Sequence, residues 1–343
     1  MKKSLIALAA LAVVGAASAQ SSVTLFGVVD AAVSYGSGDI SNKTSLTNSG
    51  YNSSRLGFKG VEDLGGGLQA GFWLEAGVNN DNGSGGATNT NNQATGSTGG
   101  GGLTFNRRST VSLMGGFGEV RLGRDYTPQF WSETVYDPFG TNGVGTTRTL
   151  GPGGITAVRA SNGVAYLSPR MGGFGIWAQT YMGENPSSGA PSNAGTGNAI
   201  RLTYDGGPIS VAGAYSKTIA GSGTDLESAN IGASYNFGMA TVMGLITKER
   251  FTGFHDIDGY LIGGLVPMGP GTIRIAFSNS DNGTAKTDQL ALGYVYDMSK
   301  RTSLYGTLVT VNNSGGAFAA LNGAVTSVNG SSNGVDLGIK HSF

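Results

Sequence analysis

Hydrophobic and polar positions alternate one for one over the last stretch of the chain. Val335, Leu337, Ile339, His341 and Phe343 share one face of an extended segment, and Gly334, Asp336, Gly338, Lys340 and Ser342 share the other. An apolar/polar dyad about ten residues long is what a tilted strand needs to cross a bilayer. The pattern recurs upstream. In a strand expected over 22–35, Val23, Leu25, Val29, Val33 and Tyr35 oppose Thr24, Asp30 and Ser34. Further on, Ala229, Ile231, Ala233, Tyr235 and Phe237 oppose Ser228, Asn230, Gly232, Ser234 and Asn236, and Ile273, Ile275 and Phe277 oppose Thr272, Arg274 and Ser278. A second strand is expected near 51–61 and a third over 68–78, whereas 302–311 is ambiguous.

The connections sort by length. Short turns fall at 62–67, 115–116, 168–173, 205–208, 236–238, 267–271 and 297–301, and longer polar connections at 36–50, 79–102, 125–156, 184–197, 217–226, 249–253, 279–286 and 312–333. Eight long loops against seven short turns predict an all-β chain, a sixteen-stranded antiparallel transmembrane β-barrel. A soluble sandwich would show alternating strands without that division of loop lengths. A parallel β-helix would need a fixed short period, and none is found.

The start of the chain has the form of a secretory signal: Met1, Lys2 and Lys3, an apolar run from Leu5 to Val14, and the small residues Ala17, Ser18 and Ala19. Residues 1–19 are therefore expected to be a cleaved signal peptide and 20–343 the barrel, exported to the bacterial outer membrane. Composition fits that class, with 61 glycines, 12% charged residues, no cysteine and mean hydropathy near zero. A disulfide scaffold is excluded. No later segment has the roughly 18 apolar residues of a membrane helix, so only a closed barrel could span lipid with its backbone satisfied. Without Lys2 and Lys3, 19 basic residues face 21 acidic ones, a net of −2, which gives no reason to expect nucleic acid.

Sixteen strands enclose a lumen too wide for wall side chains to fill. The connection 125–142 carries Phe130, Trp131, Tyr136 and Phe139, odd residues for a solvated loop, and is expected to fold inward as a constriction loop that includes Glu133, Asp137, Pro138, Phe139 and Gly140. Strand parity turns Arg55, Lys59, Arg121, Arg159, Arg201 and Arg274 toward the lumen, against fewer acids, Asp30, Glu75 and Glu119. Permanently charged guanidinium groups along a narrow aqueous path attract anions and repel cations.

Several stretches together resemble the trimeric general-diffusion porins of Gram-negative outer membranes, in particular the betaproteobacterial branch with anion preference. They are Ser22 to Asp30, Ser54 to Gly65, Phe117 to Arg124, the loop at Asp137-Pro138-Phe139-Gly140, and the closing His341-Ser342-Phe343. The resemblance implies a homotrimer, an inward third loop at the eyelet, contact with outer-membrane lipid and lipopolysaccharide, and Phe343 as the signal read by the barrel assembly machinery. It also implies eyelet arginines at Arg55, Arg107 and Arg159. Parity agrees for two of these, but Arg107 shares its phase with outward Val111 and Leu113, so either a bulge intervenes or Arg108 takes the role. Where the family usually has Pro-Glu-Phe-Gly, this chain has Asp137-Pro138, which leaves Glu133 and Asp137 as the acids able to offset a basic wall.

A barrel enzyme would need a general base beside a nucleophile or an acid pair. The only histidines are His255, in a surface cluster with Asp256 and Asp258, and His341, on the outward face of the last strand. No cofactor or metal is indicated. A sugar-specific channel would be expected to show a ladder of lumen aromatics, and those that can be placed, Trp73, Trp177 and Tyr181, are scattered. The expected function is passive diffusion of small hydrophilic solutes and small anions, with no catalysis.

Overall fold

The computed structural model describes residues 22–148, 154–189, 191–221, 224–254 and 256–343, so the expected signal segment 1–19 and His255 lie outside the described residues. Sixteen antiparallel strands form the wall: β1 (Ser22–Gly38), β2 (Arg55–Gly65), β3 (Leu68–Asn79), β4 (Arg108–Gly115), β5 (Gly118–Tyr126), β6 (Arg159–Leu167), β7 (Phe174–Tyr181), β8 (Gly197–Gly206), β9 (Ile209–Gly221), β10 (Thr224–Asn236), β11 (Thr241–Phe251), β12 (Ile257–Met268), β13 (Gly271–Asp281), β14 (Lys286–Asp297), β15 (Thr302–Ser314) and β16 (Ser331–Ser342). Each pairs with its sequence neighbour, and β16 returns to β1 from Val28↔Ser342 to Gly38↔Ser332, which closes the ring. Closure leaves no open edge, so every wall strand has hydrogen-bonded partners on both sides inside lipid. The ladder extends one residue past β16, where Phe343 N donates to Gly27 O and Gly27 N to Phe343 O, both at 3.1 Å.

Outward side chains form the apolar band that a bilayer requires. Ile231, Ile246, Ile262, Leu308 and Leu337 are all exposed on the outside of the wall. Their exposure would be unfavourable in water and is the ordinary state in hydrocarbon.

The long connections do not all stay outside. After β5 the chain enters a nine-residue helix, α1 (Pro128–Tyr136), which opens on Pro128 at its first position, where a missing N–H costs nothing. The helix and the turn after it pack on the inside of the wall. Tyr136, Phe139 and Val144 join Ala212, Leu245, Leu261, Ala276, Ala291, Val309 and Val311 from the strands, and Leu321 from the connection between β15 and β16, in one buried cluster. The ambiguity of 302–311 has its cause here. Leu304 and Leu308 face lipid while Val309 and Val311 face this packed interior and Tyr305 joins a second buried cluster with Ala32 and Val295, so both phases are apolar.

The first external connection departs from expectation. The pattern predicts a loop over 36–50, but Lys43–Asn48 is a strand paired to β1 from Ala31↔Asn48 to Gly36↔Lys43, on the side that β2 occupies lower down, from Ser22↔Val61 to Val28↔Arg55. The second wall strand is thus in two pieces, and Ser49 to Ser54 leave the ladder between them, with Ser49 at φ 65°. Hydrophobic alternation could not mark the upper piece because Lys-Thr-Ser-Leu-Thr-Asn is mostly polar on both faces, and backbone pairing holds it together with side-chain bonds from Thr47 and Asn48.

Candidate functional site: the constricted lumen

Asp30 organises the break in the second strand. It is fully buried on β1, and its carboxylate accepts from Tyr51 N (2.9 Å), Asn52 N (2.6 Å) and the Tyr305 hydroxyl (2.5 Å), while Ser54 bonds its backbone in both directions. Asn52 and Ser53 are thereby carried to the lumen surface. There Asn52 Oδ1 accepts from Arg55 Nη2, and Ser53 Oγ donates to Asn142 Oδ1 of the constriction loop at 2.6 Å. Gly143 lies so close to this segment that a Cβ there would stand 2.0 Å from Gly50 O, and its φ of 64° is one that L side chains rarely adopt. Parity turns Asp30 toward the lumen as a wall acid. It does point inward, but into this network and not into the path.

The path beside the loop is a space of about 850 Å³ lined by Arg55, Arg107, Arg108, Arg121 and Arg159 on the wall side and by Phe130, Trp131, Thr134 and Gly140 on the loop side. The Arg107/Arg108 choice has a simple resolution: β4 begins at Arg108, so Arg107 precedes the alternation and parity does not bind it. Both guanidinium groups reach the lumen. Arg107 Nε pairs with Glu75 at 2.6 Å and its Nη2 donates to the Tyr126 hydroxyl at 2.7 Å. Arg55 shares Glu75 at 3.5 Å. Arg159 lies over the Tyr126 ring, 4.2 Å from the guanidinium carbon to the centroid, and among the described residues no carboxylate pairs with it. It keeps its lumen position although a bulge between Ala160 and Gly163, with Asn162 at φ 56°, interrupts the alternation of β6.

Other cations differ in how far they are neutralised. Arg121 is held by Glu119 at 2.9 Å and Asp125 at 2.5 Å, and Arg108 shares both acids at 3.9 and 3.5 Å while stacking on Trp73. Lys59 sits over the rings of Trp73 and Phe26. Arg201 Nε donates to Ser132 Oγ of the helix at 2.8 Å. Arg274, a lumen charge by parity, instead donates to Pro138 O at 2.7 Å and stacks on Phe139, so it fastens the loop. Asp125 and Tyr126 carry no signal in the sequence beyond opening a long connection. They close β5 and supply a counter-ion for Arg121 and a platform for Arg159.

The two loop acids are behind the loop. Asp137 is 4% exposed, and its carboxylate accepts backbone N–H groups of Phe139 (2.8 Å), Thr141 (2.9 Å) and Thr147 (3.2 Å), which shapes the turn. Burial pushes its pKa up, against the lowering effect of those hydrogen bonds. Glu133 is 2% exposed, near Asn230 on the opposite wall, and is raised well above the ordinary glutamate value by burial first and then by Glu249. Neither carboxylate faces the arginines. Pro138 and Phe139 also pack away from the path, while Thr134, Gly140, Thr141 and Asn142 line it. Among the described residues, a permanent basic surface therefore faces a loop surface without charge.

Comparison with known proteins agrees with this architecture. The family described as Gram-negative porin matches residues 5–316. The chain is 39% identical to outer membrane porin protein 32 of Delftia acidovorans, over the full length of both, and 28% identical to an outer membrane porin protein of Bordetella pertussis, again over both whole chains. Among solved structures, an anion-selective porin from Comamonas acidovorans superposes with a TM-score of 0.84 at 36% identity, over 94% of this chain and 100% of that one.

Proposed function

The chain belongs to the Gram-negative porin family, and on that footing we propose that its outer-membrane channel passes small hydrophilic solutes by passive diffusion with anions favoured over cations. The observation that carries the anion preference is the one-sided eyelet: among the described residues Glu75 is the one carboxylate paired with Arg55, Arg107 or Arg159, and the loop opposite turns no acid to the space. A small anion entering this space meets fixed positive charge with little reorganisation, and a cation meets repulsion that a low-dielectric wall does not screen. Farther along, the partly paired Arg108 and Arg121 and the ring-bound Lys59 are weaker stations, so an anion is passed on and not trapped.

The zero-current potential of the purified protein in a planar bilayer under a KCl gradient tests this. The expected potential has the sign set by chloride and shrinks by more than half when Arg55 and Arg159 are both replaced by Gln. A potential of cation sign in the native channel overturns the reading.

Residues 1–19 act in this reading as a cleaved export signal. The assembled form is a homotrimer in contact with outer-membrane lipid and lipopolysaccharide, and Phe343 is the element read by the barrel assembly machinery. Support for the last point is that Phe343 continues the β16–β1 seam and lays its ring over Gly27.

A further inference from the structure

The surface that α1 turns to the lumen is unusual in its chemistry. Residues three and four apart on a helix share a face. Trp131, Thr134 and Val135 do so here, and Trp131 and Val135 are each 38% exposed inside the barrel. Gln129, Ser132, Glu133 and Tyr136 are buried on the other side of the helix. A chain that only needed an inert pore lining would gain by the reverse arrangement, with polar groups in water and the indole packed away.

The exposed indole is also not isolated. Its ring centroid is 5.5 Å from that of Tyr126, and Phe130 stacks on Tyr126 at 5.6 Å with 13° between planes. Tyr126 in turn holds Arg107 by its hydroxyl and Arg159 by its face. One tyrosine thus joins an aromatic shelf to two guanidinium groups, and the shelf and the cations line the same space.

We propose that the eyelet is a transit site for aromatic carboxylates, whose carboxylate engages the Arg107/Arg159 pair while the ring rests on Trp131. This rests on the anion-preferring eyelet proposed above and adds to it a class of solute. Guanidinium groups supply charge-assisted, two-pronged recognition of a carboxylate. An indole face supplies ring contact beyond simple area burial. Chloride or acetate uses only the first element, and a neutral arene only the second. The contact is brief because one ring face alone is covered, so the site speeds entry without holding the solute.

The test is a set of reversal potentials in planar bilayers with sodium benzoate, sodium acetate and KCl on the same native channel. In free solution benzoate is the larger and slower ion, so mobility and sieving both place its permeability below that of acetate. The expected benzoate-to-acetate permeability ratio is above one, falling below one in Trp131→Ala and returning above one in Trp131→Phe. A purely steric role for Trp131 gives the opposite sign, because removing the indole widens the eyelet and admits the larger ion more readily. A native ratio below one, or a ratio that stays or rises in Trp131→Ala, overturns the proposal while a chloride-signed KCl potential leaves the anion preference standing. A cation-signed KCl potential removes the anion preference and this inference with it.

Discussion

The lumen has two halves that share one strand pattern and differ in everything else. Against β9 to β15 the inward side chains include the apolar set Ala212, Leu245, Leu261, Ala276, Ala291, Val309 and Val311, with Asn230, Arg274 and Gln289 bonded to loop carbonyls among them, and the constriction loop covers them as a protein interior is covered. Against β2 to β6 they are Arg55, Glu75, Arg108, Glu119 and Arg121, and water has access. Sixteen strands set the outer circle, but which part of that circle is a hole is decided by where an inward apolar surface waits for the loop. The barrel is in this sense a soluble-type core joined to a charged channel along a common wall.

The largest blow to that division is expected from Tyr136→Ala. Tyr136 is fully buried, packs on Gly232 and bonds Ser210 Oγ at 3.0 Å. Its loss should loosen the loop by about 3–5 kcal/mol. Single-channel records should show larger and noisier conductance, while the heat-dependent gel shift of the folded barrel stays in place because the wall ladder is untouched. Unchanged conductance would mean that the packed half does not hold the eyelet.

A change on the charged half should leave the loop seated and alter selectivity. In Glu75→Gln the carboxylate shared by Arg107 and Arg55 is gone, and one unit charge a few ångströms from the path shifts an ion's energy by about 1 kcal/mol, roughly fivefold in permeability ratio. The zero-current potential should become more strongly chloride-signed, with conductance in symmetric salt altered far less.

The smallest effect belongs to a polar spot within the packed half, where Glu133 of the loop is near Asn230 on β10 and is influenced by Glu249 on β11 and by Asp137 in the loop. Burial raises its pKa above the ordinary value of 4.5, so its neutral form is the one that seats the loop. The contribution is complete below that ordinary value and is lost as pH rises through the raised one. Current noise should therefore grow as pH rises through that raised value in the native channel and stay flat across the same range in Glu133→Gln.

Much of this was legible in the chain, for physical reasons that vary from place to place. Strands were readable wherever lipid faces one side and water the other, as in β10 and β16, because only then does hydrophobicity alternate. In β15 the loop-covered inner surface removed the contrast, and in Lys43–Asn48 polar side chains on both faces removed it from the other direction. The basic character of the lumen followed from parity at Arg55, Arg121 and Arg201. Arg274 had the same phase, and nothing in its phase told that Pro138 O would engage it. Asp137 and Glu133 counted as charges in the sequence, whereas three backbone N–H groups occupy one and burial favours the neutral form of the other. Trp131 was visible as an apolar residue in a long loop, but which side of α1 it would take depends on the three-dimensional seat of that helix.

The tail of the constriction loop is fixed by a bond from Val144 N to Asp336 Oδ2, 2.9 Å long, and Asp336 is on β16. The loop follows the fifth strand in the chain, yet one of its anchors arrives with the sixteenth. Assembly order is thereby built into permeability. A barrel that has inserted its early strands but not its last has no finished eyelet, and the narrow filter is completed only with the stroke that seals the wall.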